Sequence, residues 1–84
     1  MKVVSGFIFS KSKNPNKKYT VYDSKTNKKI TDFGARGYQQ YYDKIGMYSK
    51  LNHLDKERRR RYYARHGKRA KRLSAKWFSH RFLW

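Results

Sequence analysis

Residues 19–33 read YTVYDSKTNKKITDF. Two runs rich in β-branched and aromatic residues, 19–22 and 29–33, flank the polar turn 24–27, which is typical of a β-hairpin. Because side chains alternate along a strand, Tyr19 and Val21 are expected on one face and Thr20 and Tyr22 on the other. This hairpin is the fold-defining prediction of the sequence.

The segment before the hairpin carries further strand signals. Val3 and Val4 form one short apolar run and residues 7–9 (FIF) another, followed by a loop rich in lysine and asparagine that contains Pro15. Residues 1–33 are therefore predicted as a β-rich region. The opening apolar run is too short for a signal peptide and has no small-residue cleavage site.

Residues 34–53 form a connector rich in glycine and tyrosine. Tyr38, Tyr41 and Tyr42 stand at i, i+3 and i+4, so a short helical turn would bring their rings to a common face. Packing against the hairpin is the simpler interpretation. Stacking on nucleic-acid bases is the alternative that this spacing leaves open.

Residues 54–73 predict a basic helix. Asp55 is a suitable N-cap, Glu57 lies in the first turn, and Gly67 is expected to end the helix after His66. Asp55 is expected to pair with Arg59, and Glu57 with Arg61, each at i, i+4. The remaining cations are predicted to bind polyanions, since arginine forks suit phosphates and carboxylates. The predicted polyanion-binding residues are Arg58, Arg59, Arg60, Arg61, Arg65, Lys68, Arg69, Lys71 and Arg72.

Residues 74–84 predict a second, aromatic helix that begins at the N-cap Ser74. At about 100° per residue, Phe78 and Phe82 share one stripe, while Trp77 and Trp84 lie nearly opposite. Phe78 and Phe82, together with Tyr38, Tyr41 and Tyr62, are expected to pack within the protein. Trp77 and Trp84 are expected to form a protein interface.

The composition demands a counter-charge. The 84 residues contain 23 Lys+Arg against 5 Asp+Glu, a formal net charge of +18. Nucleic acid, an acidic protein surface or an anionic membrane face would neutralise it. Aromatic residues make up 18% of the chain, which argues against full disorder. The fold class predicted is α+β: a small β-hairpin followed by two or three short helices, in a single domain (1–84) that needs a partner.

Catalytic and metal-binding chemistry find little support. The chain has no cysteine, and His53, His66 and His80 are too far apart in sequence for a finger-type zinc site. The Asp32-Phe33-Gly34 motif matches the magnesium motif of kinases, but 84 residues cannot hold a kinase and no glycine-rich phosphate loop is present. We expect no enzymatic activity, no cofactor, no metal, no small-molecule substrate and no membrane span.

Three segments, residues 32–41 (DFGARGYQQY), 55–68 (DKERRRRYYARHGK) and 74–84 (SAKWFSHRFLW), carry a family resemblance. Together they resemble a family of small basic proteins encoded by large nucleocytoplasmic DNA viruses. In that family a short β segment ending in an Asp-Phe-Gly turn precedes an RRxYxxRH helix and a tryptophan-rich end. The resemblance covers residues 19–84 and implies a viral origin; it implies no enzyme.

The function expected from these observations is that of a non-enzymatic virion structural protein. It would be a minor capsid protein of the cement type on the inner side of the capsid shell, assembled in the host cytoplasm or nucleus. The aromatic tail would bind capsid proteins, and the basic helix would bind acidic capsid surfaces or viral DNA or RNA. The alternatives are a genome-associated protein that condenses viral DNA and an intracellular protein that binds RNA or ribosomes.

Overall fold

The computed structural model describes residues 1–84 and shows an antiparallel sheet followed by two α-helices. The sheet has the order β1-β2-β3-β4, and the fold class is α+β, as predicted. The elements are β1 (Lys2–Val4), β2 (Phe7–Lys11), β3 (Lys17–Asp23), β4 (Lys29–Ala35), a 3₁₀ turn (Ser49–Leu51), α1 (Lys56–His66) and α2 (Ala75–Phe82).

The predicted hairpin is β3–β4, in which Tyr19 pairs with Phe33. A second hairpin, β1–β2, precedes it, and β2 pairs with β3. Ser5 and Gly6, which connect β1 and β2, have φ values of 52° and 83°. Two successive residues at positive φ produce a tight turn whose twist matches that of the strands.

The core lies between one face of the sheet and α2. Phe9 and Phe33 of the sheet are buried, and so are Phe78 and Phe82 of α2. The ring centroids of Phe9 and Phe82 are 4.8 Å apart, and those of Phe33 and Phe78 are 5.5 Å apart in a stacked arrangement. The apolar stripe of α2 therefore attaches this helix to strands β2 and β4 of the sheet.

The tyrosine spacing predicted a helical turn over residues 38–42, and that prediction is wrong, because these residues are not helical. The side chain of Tyr38 is 73% exposed, so it does not pack as expected. Gly37 has a φ of 88°, and the chain turns there. The contacts of Tyr38 with the protein include two main-chain ones: its N–H donates to the Ala35 carbonyl at 3.3 Å, and its carbonyl oxygen accepts a hydrogen bond from Lys18. Tyr41 does have a contact, with the ring of His53 at 6.2 Å.

This connector is held by buried polar groups instead. The Asp43 carboxylate accepts hydrogen bonds from the Tyr19 hydroxyl at 2.5 Å and from the main-chain N–H groups of Ile45 and Tyr48 at 2.9 Å. Burial and this bond to Asp43 raise the pKa of Tyr19. The connector therefore closes over the end of the tyrosine side chain, which extends from the sheet.

The helix ends agree with the predicted caps. Asp55 accepts hydrogen bonds from the N–H groups of Glu57 and Arg58 at 2.9 and 3.2 Å, and Gly67, with φ of 75°, ends α1. The Ser74 hydroxyl accepts a hydrogen bond from the N–H of Trp77 at 3.2 Å.

Neither α-helix combines the length and the apolar character that a bilayer crossing requires.

Candidate polyanion interface

An open groove of about 990 Å³ runs between the adjoining ends of β3 and β4 and the two α-helices. No aspartate or glutamate lines it. We call it the cationic groove. Its basic residues are Lys17, Lys18, Arg58, Arg61, Arg65 and Lys76.

Helix α1 supplies the arginine wall of the cationic groove. Arg58, Arg61 and Arg65 stand at i, i+3 and i+7, so they share one face of the helix. All three side chains are exposed. The Arg58 guanidinium donates to the Gln39 side-chain oxygen at 2.7 Å, which orients it at the rim. The wall thus presents three guanidinium groups to whatever enters the groove.

The positive charge of the protein is almost uncompensated. Of the 23 lysines and arginines, only Lys29, Arg60 and Arg61 lie within 4.0 Å of an aspartate or glutamate carboxylate. Arg60 forms the close pair with Glu57, while the Arg61 Nε lies 3.9 Å from it. The hydrogen bond from Arg60 holds the pKa of Glu57 below its usual value. These pairs are exposed and leave the groove strongly positive.

The predicted pair between Asp55 and Arg59 does not form. The Asp55 carboxylate is occupied by the N-terminal N–H groups of α1, and these bonds lower its pKa. The Arg59 guanidinium lies 4.9 Å from the centre of the Tyr41 ring, and its Nε donates to the main-chain oxygen of Trp84 at 2.9 Å. Arg59 thus links α1 to the end of the chain and does not line the cationic groove.

Lys18 is an unexpected member of the groove, since its side chain is almost fully buried. Its ammonium donates to the main-chain oxygen of Tyr38 at 2.6 Å and to the side-chain oxygen of Gln40 at 2.5 Å. Burial lowers the pKa of Lys18 to about 8, although the negative charge of Asp43 opposes this shift. Gly34 packs beside the Lys18 stem and the Leu83 side chain.

An aromatic stack forms the apolar part of the cationic groove. The rings of Tyr62 and Trp84 lie 4.3 Å apart and 6° from parallel, and both residues line the groove. Tyr62 is buried, which raises its pKa to about 12. Trp84 also contacts the His53 ring at 5.2 Å. Part of the Trp84 side chain is therefore used in contacts within the protein. Its role in a protein interface stays a prediction.

His80 joins the two helices. Its Nε2 lies 2.9 Å from the Gly67 carbonyl oxygen and its Nδ1 lies 2.9 Å from the Tyr62 hydroxyl. A carbonyl oxygen can only accept, so Nε2 carries the proton and Nδ1 accepts from the hydroxyl. Burial lowers the pKa of His80, which favours this neutral form.

No group of three His, Asp or Glu side chains is placed to hold a metal ion.

A second concave surface, of about 600 Å³, lies near the α1–α2 junction. We call it the second cationic surface and define it by Lys44, Lys68, Arg69 and Arg81, beside which Trp77 and His80 also lie. Trp77 contacts the Phe7 ring at 6.0 Å. Trp77 therefore packs against β2 of the sheet, and part of its side chain remains exposed to solvent.

The structure divides the predicted polyanion-binding residues. Arg58, Arg61 and Arg65 line the cationic groove, and Lys68 and Arg69 line the second cationic surface. Arg60 is paired with Glu57, Arg59 is turned towards Tyr41 and Trp84, and Lys71 and Arg72 are exposed outside both concavities. The sequence reasoning missed the following members: Lys17, Lys18, Lys44, Lys76 and Arg81. The i, i+3, i+7 spacing of Arg58, Arg61 and Arg65 is visible in the sequence and could have separated these three from the other predicted cations.

No protein-family model, curated protein or solved structure matches this chain.

Proposed function

We propose that the protein is a non-enzymatic structural component of a virus particle and that its cationic groove binds the phosphate backbone of nucleic acid. The groove is lined by six basic residues and by no aspartate or glutamate, and this single observation supports the proposal most strongly. Guanidinium groups form paired, charge-assisted hydrogen bonds with phosphate oxygens. The family resemblance supports the viral setting.

The groove favours contact with the backbone over reading of bases. Its basic residues come from β3, α1 and α2. Helix α1 contains no asparagine or glutamine that could accompany them. Bidentate amide contacts are the usual means of reading adenine in the major groove. Binding should therefore depend little on sequence and fall steeply with salt, by roughly 10³- to 10⁵-fold between about 50 and 200 mM for ~6–10 phosphate contacts.

A triple substitution in the groove tests this proposal. The groove variant is Arg58→Gln, Arg61→Gln, Arg65→Gln. The matched control variant is Lys13→Gln, Lys25→Gln, Lys28→Gln, which removes the same charge from exposed loops outside both concavities. At a fixed salt concentration, fluorescence anisotropy with duplex DNA should show roughly 10- to 100-fold weaker binding for the groove variant, if each contact contributes about 0.5–1 kcal/mol. Equal losses in the two variants would refute groove-specific binding.

Two roles in the particle are compatible with this proposal: a capsid cement protein and a genome-associated protein. As a cement-type minor capsid protein, it would anchor in capsid proteins through Trp77 and Trp84 while the groove holds phosphates of the genome; the partly free surface of both indoles favours this candidate. As a genome-associated protein, it would depend on the arginines instead. The two candidates differ in which substitutions exclude the protein from particles.

Incorporation into purified virions, normalised to the major capsid protein, separates these candidates. A cement protein should be lost with Trp77→Ala plus Trp84→Phe, where phenylalanine keeps a ring against Tyr62, and should be retained by the groove variant if the tryptophans carry the anchoring. A genome-associated protein should show the reverse. Normal incorporation of the tryptophan variant would exclude the cement role.

A further inference from the structure

The cationic groove and the second cationic surface lie on different sides of α2. Lys76 and Ser79 line the groove, whereas Trp77 and Arg81 line the second surface. At about 100° per residue, the mean directions of these two pairs differ by roughly 150° around the helix axis. One helix therefore separates two positively charged concavities that point away from each other.

The second cationic surface has the composition of an anion site. Its lining contains four lysines and arginines and no carboxylate. Three separate segments supply these cations: Lys44 comes from the connector, Lys68 and Arg69 follow α1, and Arg81 belongs to α2. The convergence of three segments makes this concavity a product of the tertiary fold and not of the basic sequence run alone.

Contacts within the protein hold this surface in place. The N–H of Lys44 donates to the Phe82 carbonyl at 2.9 Å, which ties the connector to the end of α2. The carbonyl of Gly67, directly before Lys68, is bound by His80 at 2.9 Å. The Arg81 guanidinium lies 5.3 Å from the centre of the Trp77 ring. A cation–π contact of this kind uses no N–H group of the guanidinium in a hydrogen bond, so these groups stay available to phosphate oxygens.

We propose that the protein bridges two separate nucleic-acid segments, one in the cationic groove and the other on the second cationic surface. The proposal rests on the proposed function, which supplies the first segment. The Cα atoms extend over 37 × 27 × 22 Å, so two bound segments would be held close together. Phosphates bring their own negative charge to each side, and screening over about 10 Å at ~0.1 M salt limits repulsion between the segments.

The test uses the full chain and two duplexes of unrelated sequence, one attached to beads and the other labelled with a fluorophore. Capture of the labelled duplex by the beads reports bridging, and fluorescence anisotropy with a single duplex reports binding. The surface variant is Lys68→Gln, Arg69→Gln, Arg81→Gln, and it is compared with the control variant, which loses the same charge.

We expect the wild type and the control variant to bridge the duplexes. We expect the surface variant to bind a single duplex within about threefold of the control variant and to capture roughly tenfold less labelled duplex. Wild-type binding without bridging would overturn this inference and leave the proposed function standing. Equal capture by the surface and control variants would also overturn it, because bridging would then arise from general charge or from self-association. Absence of binding by the wild type would refute both proposals.

Discussion

Gly34 is the glycine at which conformation and packing act together. Its φ is 80°, and a Cβ there would lie 3.0 Å from the Leu83 Cδ1 and 3.2 Å from the Lys18 Cβ. Gly37 also has a positive φ, of 88°, but its Cβ would meet nothing within 4 Å. These two residues therefore separate the cost of the backbone conformation from the cost of crowding.

Gly37→Ala should lower the free energy of unfolding by about 1–2 kcal/mol, which is the cost of a left-handed alanine. Gly34→Ala should lower it by about 2–4 kcal/mol, because overpacking is added. Urea denaturation followed by circular dichroism measures both values. Equal losses would show that Leu83 and Lys18 do not pack against Gly34 as described.

The lowered pKa of the buried Lys18 predicts that the stability of the protein depends on pH. Its pKa is about 8 in the folded protein against an ordinary value of 10.5, so between these pH values the folded state binds fewer protons than the unfolded state. The unfolding free energy should therefore rise as the pH increases from about 8 to 10.5, relative to Lys18→Met, which lacks this group. Denaturant titrations at several pH values test this difference. Parallel pH profiles for the two proteins would contradict the lowered pKa.

At the scale of elements, the connector depends on Asp43. Both of its side-chain oxygens accept bonds from main-chain N–H groups, those of Ile45 and Tyr48. In Asp43→Asn one of these N–H groups loses its acceptor, so the substitution should cost about 1–3 kcal/mol of stability. Asp23→Asn, which removes a charge outside the core, should change stability by less than about 0.5 kcal/mol. Thermal unfolding of the two variants provides the comparison, and similar melting temperatures would argue against the buried carboxylate as the anchor.

Elements with local signals were predictable from the sequence. The hairpin is marked by alternating aromatic and β-branched residues around a polar turn, and the helices by Asp55 and Ser74 at their starts and Gly67 at the end of α1. The physical cause lies within a few residues in each case, since caps and turns satisfy neighbouring main-chain groups.

The connector and the groove depend on contacts that are distant in sequence. The tyrosine spacing favoured a helical turn, but the Asp43 network and the bridge between Gln40 and Asn52 impose an irregular path. Lys18 was not expected in the interior because lysine is rarely buried. Its burial requires Gln40, 22 residues away, as the partner of its ammonium. Only folding brings the end of β3 beside α1.

At the scale of the molecule, charge is the dominant property. The net charge of +18 is spread over a chain whose aspartate and glutamate side chains pair with only three of its lysines and arginines. Self-repulsion opposes the compact state, and a bound polyanion would relieve it. Duplex DNA should therefore raise the melting temperature in a concentration-dependent manner, since a ligand that binds the folded state more tightly than the unfolded state stabilises it by mass action. An unchanged melting temperature at saturating DNA would contradict this coupling.

The central claim is that phosphates bind in the cationic groove, and the salt dependence of duplex binding tests it most directly. Each phosphate contact contributes about 0.9 to the slope of log K against log salt. The slope of the groove variant should therefore be shallower than that of the wild type by about 2.7. The control variant, which loses the same charge from exposed loops, should keep the wild-type slope. Equal slopes for the groove variant and the wild type would show that Arg58, Arg61 and Arg65 do not contact phosphates.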